Sequence, residues 1–308
     1  MIEIKTVLIL GAGSSYGYKF PLGFELCRLI YQIATSLTNE KELKELNTSK
    51  EELVAFYQGF RYSGVVSIDE FLSARTEFIE LGKKLIAKVL LPFENEMDLF
   101  PPFDDSISED WYRYLLERMM VDNLEDFSKN KISIITFNYD RSLEQFLYRA
   151  LMHRFKASSE EISQQLKQIN IIHPHGQLGL LPWQNESGDN SFTVHYMGGP
   201  TIANIIAASK GIKIIHEANE DTHEFQKAHE LINSADRVFI LGFGYHKDNL
   251  RRLQLRKRIQ YQMMLGTVLN MKKEEVGQII FDSNSVLGQD HLINTSILEF
   301  FKEVQRLQ

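Results

Sequence analysis

The sequence predicts an α/β protein built on a doubly wound parallel sheet, and three observations carry that prediction. Short apolar runs rich in branched residues, with no alternation of polar and apolar positions, read as strands buried on both faces. Helical patterns separate these runs, so consecutive strands are joined by right-handed crossovers that leave helices on both faces of the sheet. The first run leads straight into a turn of small residues, Gly11-Ala12-Gly13-Ser14-Ser15.

The elements follow in order. Thr6 to Leu10 is the first buried strand, and a helical pattern runs from about Leu22 to Ser36. Residues 40 to 62 are rich in Glu and Lys with apolar residues at helical spacing, the pattern of exposed helices. Ser67 followed by Glu70 is a capping box, and the helix it opens is expected to run to about Pro92. A second box, Ser106 with Glu109, opens a helix containing Trp111, Tyr112 and Leu115. Ile132 to Phe137 is β-branched and ends abruptly in Asn138-Tyr139-Asp140, as a second strand would. Helices fit residues 141 to 156 and 159 to 168, and residues 170 to 176 form a third strand ending in a sharp turn.

Residues 184 to 200 are polar and contain glycine, and read as an exposed loop or short hairpin. Two further strands are expected in the segments GIKIIHE and RVFILGFG, separated by a helix from about Thr222 to Ser234. After Gly244 the pattern is mostly helical. The organisation expected is a domain of residues 1 to 260, with helices of about 40 to 130 inserted as a cap, and a helical extension over 261 to 308 packed on it. No internal repeat or low-complexity tract is evident.

Composition narrows the function. The chain has 308 residues with 44% hydrophobic and 24% charged, ordinary values for a globular protein and long enough for one or two domains. A formal charge of −7 argues against a surface that binds nucleic acid over its whole extent. Cys27 is the only cysteine, which excludes a disulfide within the chain and a four-thiolate zinc site. No run of 18 apolar residues occurs and Met1-Ile-Glu-Ile-Lys does not read as a signal peptide, so the expected location is cytoplasmic, with no membrane partner.

In a doubly wound sheet the ligand lies outside the carboxyl ends of the strands. Those ends carry Gly11 and Gly13 with the hydroxyls of Ser14 and Ser15, then Asn138 and Asp140, then His175, then Gly242 and Gly244. Glycine in the first turn admits close approach and positive φ, and a phosphate or ribose is the expected neighbour, although a bare tight turn would read the same way. The spacing Gly11, Gly13, Gly17 is not that of the dinucleotide oxidoreductases, and no second strand ending in an acid follows about 20 residues on, so hydride transfer fits poorly.

With these residues in hand, the chain resembles the sirtuin family. Gly11-Ala12-Gly13-Ser14-Ser15 with Pro21, then Thr136-Phe137-Asn138-Tyr139-Asp140, then His175-Gly176, are similar in order to the sirtuin motifs GAGIS with its proline, TQNID and HG. The likeness is greatest to the sirtuin-like NAD-cleaving proteins of bacterial anti-phage defence, which carry an N-Y-D form of the second motif. It implies a Rossmann-like, sirtuin/deoxyhypusine-synthase-like NAD-binding fold and NAD+ as substrate, with no metal. By the same resemblance Gly11, Ala12, Gly13 and Ser15 match the loop that holds the diphosphate and ribose, with Ser14 beside them. Asn138 matches the residue that positions ribose and water, Asp140 the acid at the nicotinamide carboxamide, and His175 the general base. Gly242 and Gly244 match a late loop near the adenosine ribose, where Phe243 and Tyr245 replace the usual Thr-Ser. The chain departs from the deacetylating members in lacking their four-cysteine zinc module, in Leu22-Gly23-Phe24 after the proline, and in the 37 residues between Asn138 and His175.

The expected activity is therefore hydrolysis of NAD+ to ADP-ribose and nicotinamide, with Asn138 and His175 as catalytic residues, in a defence effector that acts by NAD depletion. Two alternatives stay open: an NAD-dependent protein deacylase or ADP-ribosyl transferase, and a non-catalytic sensor that binds NAD or ADP-ribose. Because an uncontrolled NADase is toxic to its own cell, control is expected from a homo-oligomer or from a separately encoded sensor or ATPase partner. Blander assignments account for other features. His173, two residues from His175 on the same strand, is assigned a structural role. His216, His223 and His229 with Glu217, Glu220, Glu224 and Glu230 lack helix-face metal spacing and read as exposed surface. The basic stretch 250 to 260 reads as an amphipathic helix with Leu250, Leu253 and Leu255 inward, and Asp69 is explained by the dipole at a helix start.

Overall fold

The computed structural model describes residues 1–102, 110–186, 188–214, 222–255 and 262–307. Six strands, β1 (Thr6–Leu10), β2 (Ile132–Thr136), β3 (Asn170–Ile172), β4 (Arg237–Leu241), β5 (Met263–Thr267) and β6 (Leu292–Ile293), form one sheet in the order β3-β2-β1-β4-β5-β6. All five pairings are parallel, so the architecture is the doubly wound, Rossmann-like α/β sheet. From β1 the chain moves outward to β2 and β3, then returns to the other side of β1 with β4. The order therefore reverses between β1 and β4, the topological switch point of the sheet.

Every residue of β1 and of β4 is buried, because helices cover both faces. Alternate residues feed two separate apolar clusters: Leu8, Leu10, Phe239 and Leu241 belong to one face, Val7, Ile9, Val238 and Ile240 to the other. Between β1 and β2 come α1 (Gly13–Tyr16), α2 (Gly23–Ser36), α3 (Glu40–Glu45), α4 (Lys50–Tyr62), α5 (Ile68–Ala74), α6 (Ile79–Leu90), α7 (Glu96–Leu99) and α8 (Trp111–Met119). Helices α9 (Ser142–Phe155) and α10 (Ser159–Leu166) join β2 to β3, while α11 (Ile202–Gly211) and α12 (His223–Ser234) join β3 to β4. After β4 follow α13 (Lys247–Leu253), α14 (Lys273–Asp282) and the one-turn α15 (Ile297–Glu299). Apolar residues of the inserted helices, among them Phe56, Phe71, Leu85 and Tyr112, lie in the same cluster as Leu8 and Phe239. The insertion is thus fused to one face of the sheet.

Several expectations are corrected. The helix opened by Ser67 does not reach Pro92: it stops at Ala74, Arg75 turns out of helical geometry, and α6 restarts at Ile79. The break turns both Phe71 and Phe78 onto Phe56, with ring centroids 5.4 and 5.6 Å away. Ser106 and Glu109 lie outside the described residues, and the cap of α8 is Asp110, whose carboxylate accepts from the Arg113 amide at 3.1 Å. In GIKIIHE only Ile212 pairs, in an isolated bridge to Gly176, and residues 215 to 217 lie outside the described residues. The segment from 262 onward is no helical appendage. It supplies β5 and β6, and the single glycine in β5 is required there because a Cβ on Gly266 would fall 2.1 Å from the Tyr245 hydroxyl. In α13, Leu250 and Leu253 are buried as expected, joined by Arg252. Among the described residues no helix is long and apolar enough to cross a membrane.

Candidate functional site

Register brings the strand ends level. Leu10 pairs with both Thr136 and Leu241, so Gly11, Phe137 and Gly242 begin three adjacent loops at one height. The Gly11 amide donates to the Leu241 carbonyl at 3.1 Å and the Gly13 amide to the Gly242 carbonyl at 2.8 Å. A Cβ on Gly11 would lie 2.7 Å from the Phe243 Cα, one on Gly13 2.8 Å from the Gly242 oxygen, and one on Gly242 2.3 Å from the Ser14 nitrogen. Gly242 also has φ +56°. What approaches the glycine turn so closely is the loop after β4. The amides of Ser14 and Ser15 close the turn onto Gly11 and Ala12, so the turn offers hydroxyls to its surroundings. Gly244 is exposed and touches nothing that a Cβ would meet.

Asn138, held at the end of β2, reaches across to this turn. Its Nδ2 donates to the Gly11 carbonyl at 3.0 Å, to Ser15 Oγ at 3.0 Å and to Ser14 Oγ at 3.2 Å, sharing two protons among three acceptors. That fixes the amide's orientation and leaves its Oδ1 without a donor among the described residues. Asp140 follows, buried, accepting from the Ser142 amide at 3.1 Å and from the Ser142 hydroxyl. Burial raises its pKa above the usual carboxylate value, while hydrogen bonds from Ser142 and Ser15 work against the shift. The Ser142 hydroxyl also meets the Tyr112 hydroxyl at 2.7 Å, and Tyr112 stacks on Tyr18 with centroids 3.8 Å apart. Ser14, Ser15, Tyr112, Thr136, Asn138, Asp140 and Glu144 line one pocket narrow enough to admit about one water as the side chains stand.

The loop is braced from below. Arg141, fully buried, grips both carboxylate oxygens of Glu94 at 2.6 and 2.7 Å and donates to the Val194 carbonyl at 2.7 Å. Tyr139 donates to Asp69 Oδ1 of α5 at 2.5 Å, clamping the insertion to the same loop. Burial pushes the Asp69 carboxyl up to about 6, against the pull of the Tyr139 hydrogen bond and of the His246 and Arg252 charges.

The two histidines part company here. His173 touches Asn138 and Glu144 through its two ring nitrogens, at 3.0 and 2.5 Å. His175 lies in an aromatic enclosure, its ring 5.2 Å from Phe137 and 6.3 Å from Phe225, and lines neither the narrow pocket nor the wide cleft beside it. Its Nε2 is buried without a hydrogen-bond partner among the described residues. Burial, with the positive charge of Arg252, pushes its pKa down to about 3, far from the near-neutral value expected of a base. The structure thus brings together Gly11, Gly13, Ser14, Ser15, Asn138, Asp140 and Gly242, and sets His175 and Gly244 apart from the pocket.

Sequence reasoning missed Tyr112, whose only signal was an aromatic residue in an inserted helix. It also gave no role to Thr136, the first residue of the Asn138 motif, and missed Glu144, four residues after the motif's Asp140. Among the described residues no three His, Cys, Asp or Glu side chains are placed to hold a metal ion. His216, Glu217 and Glu220 lie outside the described residues, and Glu224 is paired with Lys213 at 2.8 Å. Fold and site together define a doubly wound α/β protein with a part-buried pocket at the carboxyl ends of β1 and β2, carrying polar side chains from the loops that follow them. No protein-family model and no curated protein matches the chain.

Proposed function

We propose that this pocket cleaves NAD+ to ADP-ribose and nicotinamide, and that the chain is a sirtuin-like NADase. The observation that carries the reading is Asn138: its amide is pinned by three acceptors at the carboxyl end of β2 while its Oδ1 has no donor among the described residues, in a pocket it shares with the buried Asp140. In the reaction the bond from ribose C1′ to the pyridinium nitrogen breaks, its electron pair leaves with neutral nicotinamide, and a water oxygen bonds C1′ and releases one proton. Little nucleophilic push is needed, because the leaving group becomes neutral as C1′ becomes oxocarbenium-like. Asn138 Oδ1 accepts from the attacking water or a ribose hydroxyl. Asp140 accepts a carboxamide N–H and its charge stabilises the developing cation. His175 is the base of this reading, a weak one while its ring stays enclosed.

A pyridine ring does not enter a space for one water, so substrate entry requires the lining side chains to part. The low pKa of His175 favours a second reading, an NAD- or ADP-ribose-binding sensor that does not cut. Control by self-association or by a separately encoded partner, and a role in anti-phage defence by NAD depletion, rest on the family resemblance. The test is nicotinamide release from NAD+ over a series of protein concentrations, beside Asn138→Ala. Turnover that rises with concentration and falls by about 10²-fold or more in the variant supports the hydrolase and assembly as its switch. Equal turnover in both proteins overturns the assignment of Asn138, and silence with retained NAD binding fits either an enzyme awaiting its partner or the sensor.

A further inference from the structure

His173 meets two acceptors at once. Nδ1 lies 3.0 Å from the Asn138 carbonyl oxygen and Nε2 lies 2.5 Å from Glu144 Oε1. A carbonyl oxygen only accepts, so Nδ1 carries a proton. A neutral ring has no second proton, and an unprotonated Nε2 facing a carboxylate oxygen at 2.5 Å would set two lone pairs against each other. A further proton must therefore lie between His173 and Glu144. Both groups are inaccessible, with side-chain exposures of 7% and 2%, so water does not supply the missing donor.

We propose that His173 and Glu144 are a positioning pair for Asn138, holding one shared proton so that the Asn138 carbonyl is fixed and its side-chain amide is aimed at the glycine turn. The pair is also a wall. Glu144 lines the narrow pocket, His173 lines a wider, more open cleft, and Ile171 lines both. Burial opposes charge on His173, yet the Glu144 carboxylate and the hydrogen bonds to Glu144 and Asn138 raise its pKa overall. The other ionisable groups facing it are Asp140 beside the pocket and, across the cleft, Lys213, His223, Glu224 and Lys227, the first and third paired to each other. As pH rises through the raised pKa of His173 its Nε2 proton leaves, Nε2 repels the carboxylate, and the Asn138 segment loses its anchor.

The turnover readout of this proposal rests on the NAD-cleaving reading, and the spectroscopic one does not. In protein with ¹⁵N-labelled histidine, the His173 ring is expected to carry protons on both nitrogens at pH 7. It should titrate above the usual value of about 6.5, and the Asn138 side-chain amide should shift with the same midpoint. A neutral His173 at pH 7, or Asn138 resonances indifferent to its titration, overturns the proposal whether or not the protein cleaves NAD+. Glu144→Gln gives the second test. A glutamine amide can donate to Nε2 of a neutral ring that still donates from Nδ1, so the alkaline fall in kcat should vanish. His173→Leu should lower kcat on the order of 10-fold or more at every pH. An alkaline limb in Glu144→Gln identical to that of the wild type overturns the assignment.

Discussion

Gly242 shows how much a single residue decides at this site. Its φ of +56° and the 2.3 Å between an added Cβ and the Ser14 nitrogen mean that a methyl group there strains its own backbone and drives two loops apart. Gly242→Ala is expected to cost about 3 kcal/mol or more and to lower Tm, because neither loop can retreat without breaking the Gly13 amide bond to residue 242. Gly244→Ala, two residues on, meets nothing and should stay within about 0.5 kcal/mol of the wild type in denaturant unfolding. Equal losses for the two variants would refute the packing explanation. The importance of Gly11, Gly13 and Gly242 was legible in the sequence, but its cause was not. A glycine that admits a phosphate and a glycine that admits another loop have the same letter, and only the register of β1 with β4 separates them. The surroundings of His175 were not legible for a related reason. Its place after a strand is plain in the sequence, whereas Phe137 and Phe225, which close over it and lower its pKa, come from elsewhere in the chain.

At the scale of elements, α5 couples the insertion to the Asn138 loop through the Asp69–Tyr139 hydrogen bond. Asp69 is only partly accessible, and its carboxyl is pushed up to about 6 in the fold against about 3.9 for an unfolded chain. A raised carboxyl pKa means the folded state holds the proton more tightly. The associated stability is present below the unfolded pKa and is lost as pH rises through about 6. Asp69→Asn keeps an acceptor for Tyr139 and removes this titration. Relative to wild type, the variant should therefore gain on the order of 2 kcal/mol between pH 3 and pH 8, with most of the change between pH 4 and 6. A difference that does not change with pH would show that Asp69 titrates as a solvated acid. The start of α5 at Ser67 was legible from its cap, since the Ser67 hydroxyl does accept from the Glu70 amide at 3.1 Å. Its early end was not. The break at Arg75 satisfies the packing of Phe71 and Phe78 on Phe56, a demand made by α4 and invisible in the local pattern.

For the whole molecule, the order β3-β2-β1-β4-β5-β6 makes the last third of the chain part of the site's foundation. The strands with apolar, largely branched runs, β1, β2 and β4, were legible because burial on both faces leaves few polar positions. β5 and β6 were not, because one is interrupted by Gly266 and the other is two residues long. Yet Thr267 at the end of β5 holds the site loop twice, its Oγ1 accepting from the Gly242 amide at 3.0 Å and its carbonyl from the Tyr245 hydroxyl at 3.2 Å. Farther on, Phe300 and Phe301 are fully buried, and the Phe301 carbonyl accepts from Tyr114 of α8 at 3.0 Å, which ties the end of the chain to the insertion. A chain ended at residue 260 would leave β4 as an open edge, expose that apolar cluster and release the Gly242 loop. It should fail to give a cooperative unfolding transition by circular dichroism, whereas a separable helical extension would leave residues 1 to 260 folded with their own Tm. Retained cooperative folding in the shortened chain would mean that β1 to β4 suffice to hold the glycine turn against Gly242, and that the two outer strands serve only to cover an edge.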